Sequence, residues 1–212
     1  PYLSRPPHVN QWRETDFDNF KFIVHEMFLY VIAVLLRGEH IESATYLLSQ
    51  SYYVPGNSDY GKNATVSFTA FREYMKSLEI RKQRLKSNRL SIRADLLEQR
   101  SKTSGVQFRH VMQSDFICFL RADLTHTDSY DRWWPETLLY ATRHYGPFEL
   151  FARSTSKSYL SRTLSLLGVP NLDLLKAKLD EYASDRNNLP RWQFESFSPS
   201  ALVGLDQLGT KV

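Results

Sequence analysis

Basic residues are concentrated in one stretch of the chain, residues 72–102, which holds ten Lys and Arg against four Asp and Glu. The stretch carries a net charge of +6, although the whole chain sums to only +4. Clustered Lys and Arg bind phosphates by releasing counterions and, for Arg, by forming paired hydrogen bonds. The residues predicted to contact an anionic partner are Arg81, Lys82, Arg84, Lys86, Arg89 and Arg93. A solvated helix face is the alternative interpretation of such a charge run.

A second motif is Arg121-Ala122-Asp123-Leu124-Thr125-His126. The spacing of Arg121 and His126 resembles the Arg/His signature of HEPN-type ribonucleases, which are helical folds. The resemblance implies that Arg121 would steady the scissile phosphate and that His126 would assist proton transfer. Ala122 follows the arginine at a position where that family usually has a polar side chain.

The sequence motifs that mark metal sites and nucleotide sites do not identify either kind of site in this chain. His126, Asp128 and Asp131 fall in one polar stretch, but no further ligand stands at a diagnostic spacing, so ordinary loop polarity is favoured over a metal site. The sequence contains no phosphate-binding glycine loop, dinucleotide fingerprint or nucleophile elbow. No metal and no cofactor is predicted, and the interpretation leans away from an enzyme.

Two adjacent tryptophans, Trp133 and Trp134, are the last candidate binding residues. Tryptophan supplies a large rigid surface and one N–H donor, so this pair could stack on a base or anchor a partner. The alternative is that at least one of the rings belongs to the core.

The elements that must position these residues are predicted to be helices. Apolar residues recur at helical spacing in eight segments. In the first half of the chain these are about 17–36, which ends at Gly38, then 39–50, and a long pattern from Ser67 with a break near 88. In the second half they are 108–121, a segment from Pro135, 148–154, 159–167 and a segment after Asn171. Residues 51–66 and 123–132 are predicted to be loops. We therefore expect one compact all-α domain of about seven to nine helices. A short strand or hairpin near 133–142 is compatible with this fold class.

Composition and hydropathy indicate the cellular compartment and the domain organisation of the chain. The single cysteine, Cys118, excludes an internal disulfide and predicts a cytoplasmic protein. The longest apolar run, residues 27–36, is shorter than the roughly 18 to 20 residues that cross a bilayer, so a core helix is predicted rather than a membrane span. We expect a linker-like segment over 1–15, a helical domain over 16–186 and an irregular tail over 187–212, all from a longer protein.

The first functional hypothesis is a non-catalytic recognition or regulatory module of a larger intracellular protein. It would bind an anionic partner, such as a nucleic acid or a nucleotide, or another protein domain, through residues 72–102. One alternative is the HEPN-like ribonuclease with Arg121 and His126. Another is a scaffold or homo-oligomerisation domain that uses the apolar stripe of residues 171–184.

Overall fold

The computed structural model describes residues 13–54, 65–86, 88–125, 132–141, 146–185, 187, 189–192 and 196–211. Within these residues the chain forms nine α-helices: α1 (Asp18–Arg37), α2 (Ile41–Ser49), α3 (Lys76–Arg84), α4 (Ile92–Ser104), α5 (Phe108–Thr125), α6 (Glu149–Arg153), α7 (Lys157–Leu167), α8 (Leu172–Ser184) and α9 (Pro199–Val203). Short 3-10 segments cover Glu14–Phe17, Phe68–Phe71, Glu136–Ala141 and Leu205–Gln207. The predicted all-α fold is confirmed.

Helix α5 is the centre of the domain. All residues from Val111 to Ala122 are buried, including Cys118, so every face of the helix is covered for more than three turns. Helices α1, α4 and α7 and the 3-10 helix Glu136–Ala141 pack around it. Helix α2 bridges α1 and α7. Burial raises the pKa of the Cys118 thiol well above its ordinary value, which leaves this cysteine a neutral core side chain.

Several helices begin or end at residues whose types favour helix termini. Gly168 ends α7 in the left-handed conformation with φ of 74°. Asn171 begins α8, because its side chain accepts a hydrogen bond from the Leu174 amide at 3.1 Å. Helix α1 ends beside Gly38, but the left-handed residue there is Glu39, with φ of 60°. Gly38 is instead a close-contact position, where an added Cβ would lie 2.9 Å from the His40 ring.

The break predicted near residue 88 separates α3 from α4. Lys86 has φ of 45°, which turns the chain after α3. Ser91 then begins α4, because its hydroxyl accepts a hydrogen bond from the Ala94 amide at 3.1 Å. Helix α3 buries none of its own residues, whereas α4 buries four of its residues.

Three segments differ in detail from expectation. The described strands, β1 (Tyr52–Tyr53) and β2 (Thr65–Val66), pair antiparallel within the segment predicted to be a loop. Residues 136–141 form a 3-10 helix at the helical pattern that begins at Pro135, and the described residues near 133–142 contain no strand or hairpin, which the sequence also allowed there. The C-terminal segment, expected to be irregular, contains α9 and contributes Phe197, Leu202, Val203 and Leu208 to the core. It is held there by backbone hydrogen bonds, one of them from the Phe148 amide to the Leu202 carbonyl at 2.9 Å.

Candidate anion-binding cleft

The predicted basic residues divide into exposed and engaged side chains. Arg81, Arg84 and Lys86 are exposed, and none of the carboxylates in the described part of the chain pairs with them. Lys82 is half-buried and donates to the Leu90 carbonyl at 3.2 Å. Arg89 forms a two-bond ion pair with Asp95, at 2.7 and 3.1 Å. Helix α3 and the turn that follows it therefore present a basic surface, which we define as Arg81, Lys82, Arg84 and Lys86.

A cleft lies between α3, α4 and the 3-10 helix Glu136–Ala141. Its cavity volume is about 170 Å³. The charged residues that line it are Arg72, Glu79, Arg93 and Glu136, and the aromatic residues are Tyr74, Trp134 and Trp192. We call this site the Arg93 cleft. Two predicted binding residues, Arg93 and Trp134, meet there.

Arg93 is the least satisfied charge of the cleft. The side chain is only 5% exposed, and Nη2 donates to the Glu73 carbonyl at 2.6 Å. The other terminal nitrogen, Nη1, is buried and has no hydrogen-bond partner within the described residues. Burial, together with the positive charge of Arg72, lowers the pKa of Arg93 to about 10, so the guanidinium is still charged at neutral pH. A buried cation with an unpartnered donor is stabilised by an anion that reaches this donor.

The neighbouring ion pair leaves no carboxylate oxygen for Arg93. Arg72 Nη2 binds Glu136 Oε1, and Arg72 Nε donates to the Trp134 carbonyl at 3.1 Å. The second oxygen of Glu136 accepts the Ser91 hydroxyl at 2.6 Å. Glu136 is therefore held by Arg72 and Ser91, and its negative charge, like those of Asp115 and Asp18, acts on Arg93 through space.

The two tryptophans separate into a core residue and a cleft residue. Trp133 is 1% exposed and donates from Nε1 to Asp115 Oδ1 at 2.6 Å. Trp134 is 39% exposed and meets Trp192 edge-on, with 6.0 Å between ring centroids. Of the pair, only Trp134 can receive a partner. Trp133 fills the core, as the alternative interpretation of the sequence allowed for one ring.

A buried polar cluster lies behind the cleft and was not predicted. Asp115 accepts hydrogen bonds from Trp133 Nε1 and from the amide and hydroxyl of Thr137, at 2.6 to 2.8 Å. Burial raises the pKa of Asp115 to about 6. His25 lies 5.4 Å from the Trp133 ring, and neither of its nitrogens has a hydrogen-bond partner among the described residues. Burial and the charges of Arg93 and Arg72 lower the pKa of His25 well below its ordinary value. The signal in the sequence was a polar residue at a core-facing position of an otherwise apolar helix.

Arg121, the candidate catalytic arginine, is 8% exposed and holds two helix ends together. Nε donates to the Leu48 carbonyl at 3.2 Å and Nη2 to the Ser49 hydroxyl at 2.9 Å, both at the end of α2. Nη1 donates to the Ser165 and Leu166 carbonyls in the last turn of α7. A cation at helix C-termini is favourable because it meets the negative end of each helix dipole.

The remaining candidates from the sequence are the polar stretch with His126 and the apolar stripe of residues 171–184. His126, Asp128 and Asp131 lie outside the described residues. Within the part of the chain that the structure describes, no group of three or more metal-ligating side chains comes together. The stripe of residues 171–184 faces inward, because Leu175, Leu179 and Tyr182 are buried. These three side chains belong to the core, whereas Leu174 of the same helix is 49% exposed.

A second depression, of about 390 Å³, lies between α5 and α6. His110 Nδ1 is there 4.0 Å from Glu149 Oε2, and burial lowers the pKa of His110. Two of the other polar side chains are engaged, since Arg109 donates to the Pro147 carbonyl and Gln113 accepts the Leu150 amide, both at 2.9 Å. This depression has no open buried donor comparable to that of Arg93.

Comparison with known proteins adds no relative. No protein-family model, curated protein or solved structure matches the chain. Function is therefore inferred from the site itself.

Proposed function

We propose that this domain is a non-catalytic recognition module that binds a single-stranded nucleic acid, with one phosphate in the Arg93 cleft and further phosphates along the basic surface. The observation that carries the proposal is the buried, unpartnered Nη1 of Arg93. A phosphate oxygen would supply the missing acceptor and neutralise the buried charge.

The size of the cleft limits what enters it. Ligand pockets for whole cofactors or drug-sized molecules run from about 300 to 1,000 Å³. The cavity of about 170 Å³ is smaller and suits a single anionic group. The partner is thus a larger polyanion that inserts one group, rather than a free nucleotide enclosed by the protein.

The surroundings of the cleft favour a nucleic acid over a simple anion. Arg81, Arg84 and Lys86 lie on or just after the helix that forms one wall. Trp134 and Tyr74 line the cleft and are 39% and 59% exposed, which offers flat rings to an unpaired base. Basic grooves with aromatic side chains are typical of proteins that bind single strands with little sequence preference.

The test is fluorescence anisotropy with a short single-stranded RNA at several salt concentrations. Neutralising Arg81, Arg84 and Lys86 to Gln should lower the salt slope by about 0.7 for each phosphate that is no longer bound. Arg93→Met should weaken binding by roughly 10- to 100-fold, the usual loss for a charge-assisted hydrogen bond. Lys176→Gln, an exposed change on α8, is the matched control and should bind as the parent does.

Two results would contradict the proposal. The cleft is not the site if Arg93→Met and the triple Gln variant both bind RNA like the parent protein. The partner is instead an acidic protein segment if polyglutamate binds at least as tightly as RNA and loses affinity in the same variants.

A further inference from the structure

Helix α1 presents an apolar face to solvent. Its exposed residues between 20 and 34 are all apolar: Phe20 at 47%, Ile23 at 42%, Met27 at 59%, Val31 at 44% and Val34 at 47% exposed. The polar residues in the middle of the same helix, His25 and Glu26, are buried. This distribution is the reverse of that on an ordinary surface helix, where charged and polar residues face water. An apolar stripe of this length marks an interaction surface.

The spacing along this stripe is symmetric. Counted from Met27, the other four residues stand at −7, −4, +4 and +7. These steps of three and four residues keep the side chains on one face of a helix. A stripe whose spacing is the same in both directions brings its side chains opposite those of its own copy when the copy runs antiparallel.

We propose that the α1 face binds a second copy of this chain, in an antiparallel pair whose two-fold axis passes beside Met27. Phe20 of each copy then lies opposite Val34 of the other, and Ile23 lies opposite Val31. Each larger side chain meets a smaller one, which is how facing helices interdigitate. The paired stripe is about 21 Å long, since the fourteen steps from Phe20 to Val34 rise by about 1.5 Å each. A two-fold interface uses the same patch on both subunits, as this stripe requires.

The charges that flank the stripe are complementary in this arrangement. Asp16 is exposed just before α1, and Arg37 is exposed at its end. They stand at −11 and +10 from Met27, so an antiparallel copy brings each Arg37 near the partner copy's aspartate. No exposed charge lies between residues 20 and 34, so pairing sets no like charges against each other. Lys21 is engaged with Asp18 and Glu73 at 3.7 and 3.2 Å.

A membrane is the competing occupant. The segment Thr15–Arg37 contains an 18-residue window with a mean hydropathy of 1.6 and is long enough to cross a bilayer by length and composition. However, α1 packs on the central helix α5, and its Glu26 carboxylate binds Arg100 Nε at 2.6 Å. Crossing a membrane would require α1 to leave this packing and would place the Glu26 carboxyl in lipid without Arg100. The second copy needs no rearrangement.

Sedimentation velocity and light scattering over a range of protein concentrations test the pairing. The parent chain should dimerise, and Met27→Glu should weaken the dimer by about 100-fold or more, because two carboxylates would meet at the axis. Leu174→Glu, on α8 and 49% exposed in the parent, is the matched control and should dimerise like the parent. Circular dichroism should be the same for all three. A monomeric parent, a Met27→Glu variant that dimerises unchanged, or a parent that sediments with anionic lipid vesicles as a monomer would each overturn the proposal.

Disulfide trapping tests the direction of the pair. Cys118 is the only cysteine and is fully buried, so an introduced thiol reports its own contacts. Phe20→Cys and Val34→Cys variants are mixed and oxidised with diamide, which removes two electrons and two protons from a thiol pair. The expected product is the mixed 20–34 disulfide. Formation of only the 20–20 and 34–34 products would show a parallel pair and overturn the antiparallel assignment.

Discussion

Two buried arginines of this fold differ in how many hydrogen-bond partners their guanidinium groups have. Arg121 is 8% exposed and Arg93 is 5% exposed, so both guanidiniums have lost most of their water. Arg121 donates to four oxygens at the ends of α2 and α7. Arg93 donates to one carbonyl and keeps a buried nitrogen without a partner in the described part of the chain. Burial alone does not distinguish a structural arginine from a binding one; the matching of donors does.

The largest expected effect is that of Arg121→Met on stability. The substitution leaves the Leu48 and Leu166 carbonyls buried without donors, and each such group costs about 1 to 3 kcal/mol. We expect the free energy of unfolding in urea to fall by about 3 kcal/mol or more. Arg121→Lys should recover only part of this loss, because an ammonium lacks the planar fork. A variant as stable as the parent would mean that Arg121 does not hold these helix ends.

The second effect is on how stability depends on pH, and it involves Asp115, whose charge acts on Arg93. Asp115 has a folded pKa of about 6, above the ordinary carboxyl value of 3.8, so the folded state binds this proton more tightly. Its contribution to stability therefore grows as pH falls from about 6 towards 4. Relative to Asp115→Asn, the parent should gain up to about 3 kcal/mol between pH 7 and pH 4. Urea unfolding of both proteins across this range measures the difference.

His25 changes the pH dependence of stability in the opposite direction to Asp115 and provides the control. Its folded pKa lies below 6.5, so the unfolded chain takes up the proton first and stability falls as pH drops below 6.5. The gain from Asp115 should therefore be clearest in a His25→Phe background. A pH profile that is identical with and without Asp115 would show that this carboxyl has the same pKa in the folded and unfolded chain.

A smaller effect is expected for Arg93→Met. Removing a buried and incompletely paired cation relieves its desolvation, while the hydrogen bond to the Glu73 carbonyl is lost. These contributions oppose each other, so the free energy of unfolding should change by no more than about 1 kcal/mol. Inorganic phosphate should raise the Tm of the parent and not that of the variant. A loss as large as that of Arg121→Met would make Arg93 a structural residue as well.

The smallest effect is expected at the surface. Arg89 pairs with Asp95 through two hydrogen bonds, but its side chain is 62% exposed. Exposed ion pairs contribute little, because water competes for both groups and salt screens them. Arg89→Ala should leave the urea midpoint unchanged within error. A clear drop would indicate that Arg89 supports Asp95 in holding Tyr140, whose hydroxyl donates to the same carboxylate at 2.5 Å.

The helices were predictable because their signals are local. Helical spacing, Gly168 and Asn171 determine where elements begin and end from residues a few positions apart. The sheet escaped prediction because its strands are so short, and the C-terminal helix α9 because it is short and is held by a distant part of the chain. Two-residue strands have no period to detect, and the Phe148 amide that binds the Leu202 carbonyl of α9 is 54 residues away from it in sequence.

The candidate site was predictable in residue type but not in role. The basic surface followed from charge density alone. The role of Arg121 depends on carbonyls 45 and 73 residues distant, which only the packing of α2 and α7 brings together. Trp133 and Trp134 are neighbours in sequence, yet one lies in the core and the other lines the cleft. Their separation depends on Asp115, which attracts one indole N–H into the interior.

Helix α3, which buries none of its residues, has a consequence for amide hydrogen exchange. Opening a helix without buried side chains exposes little apolar surface, so its amides should exchange through local opening, long before those of α5. A ligand that binds the wall formed by α3 would suppress this opening. Slowed exchange confined to residues 76–84, with α5 unchanged as the internal standard, would therefore report occupancy of the Arg93 cleft even when the bound structure cannot be obtained.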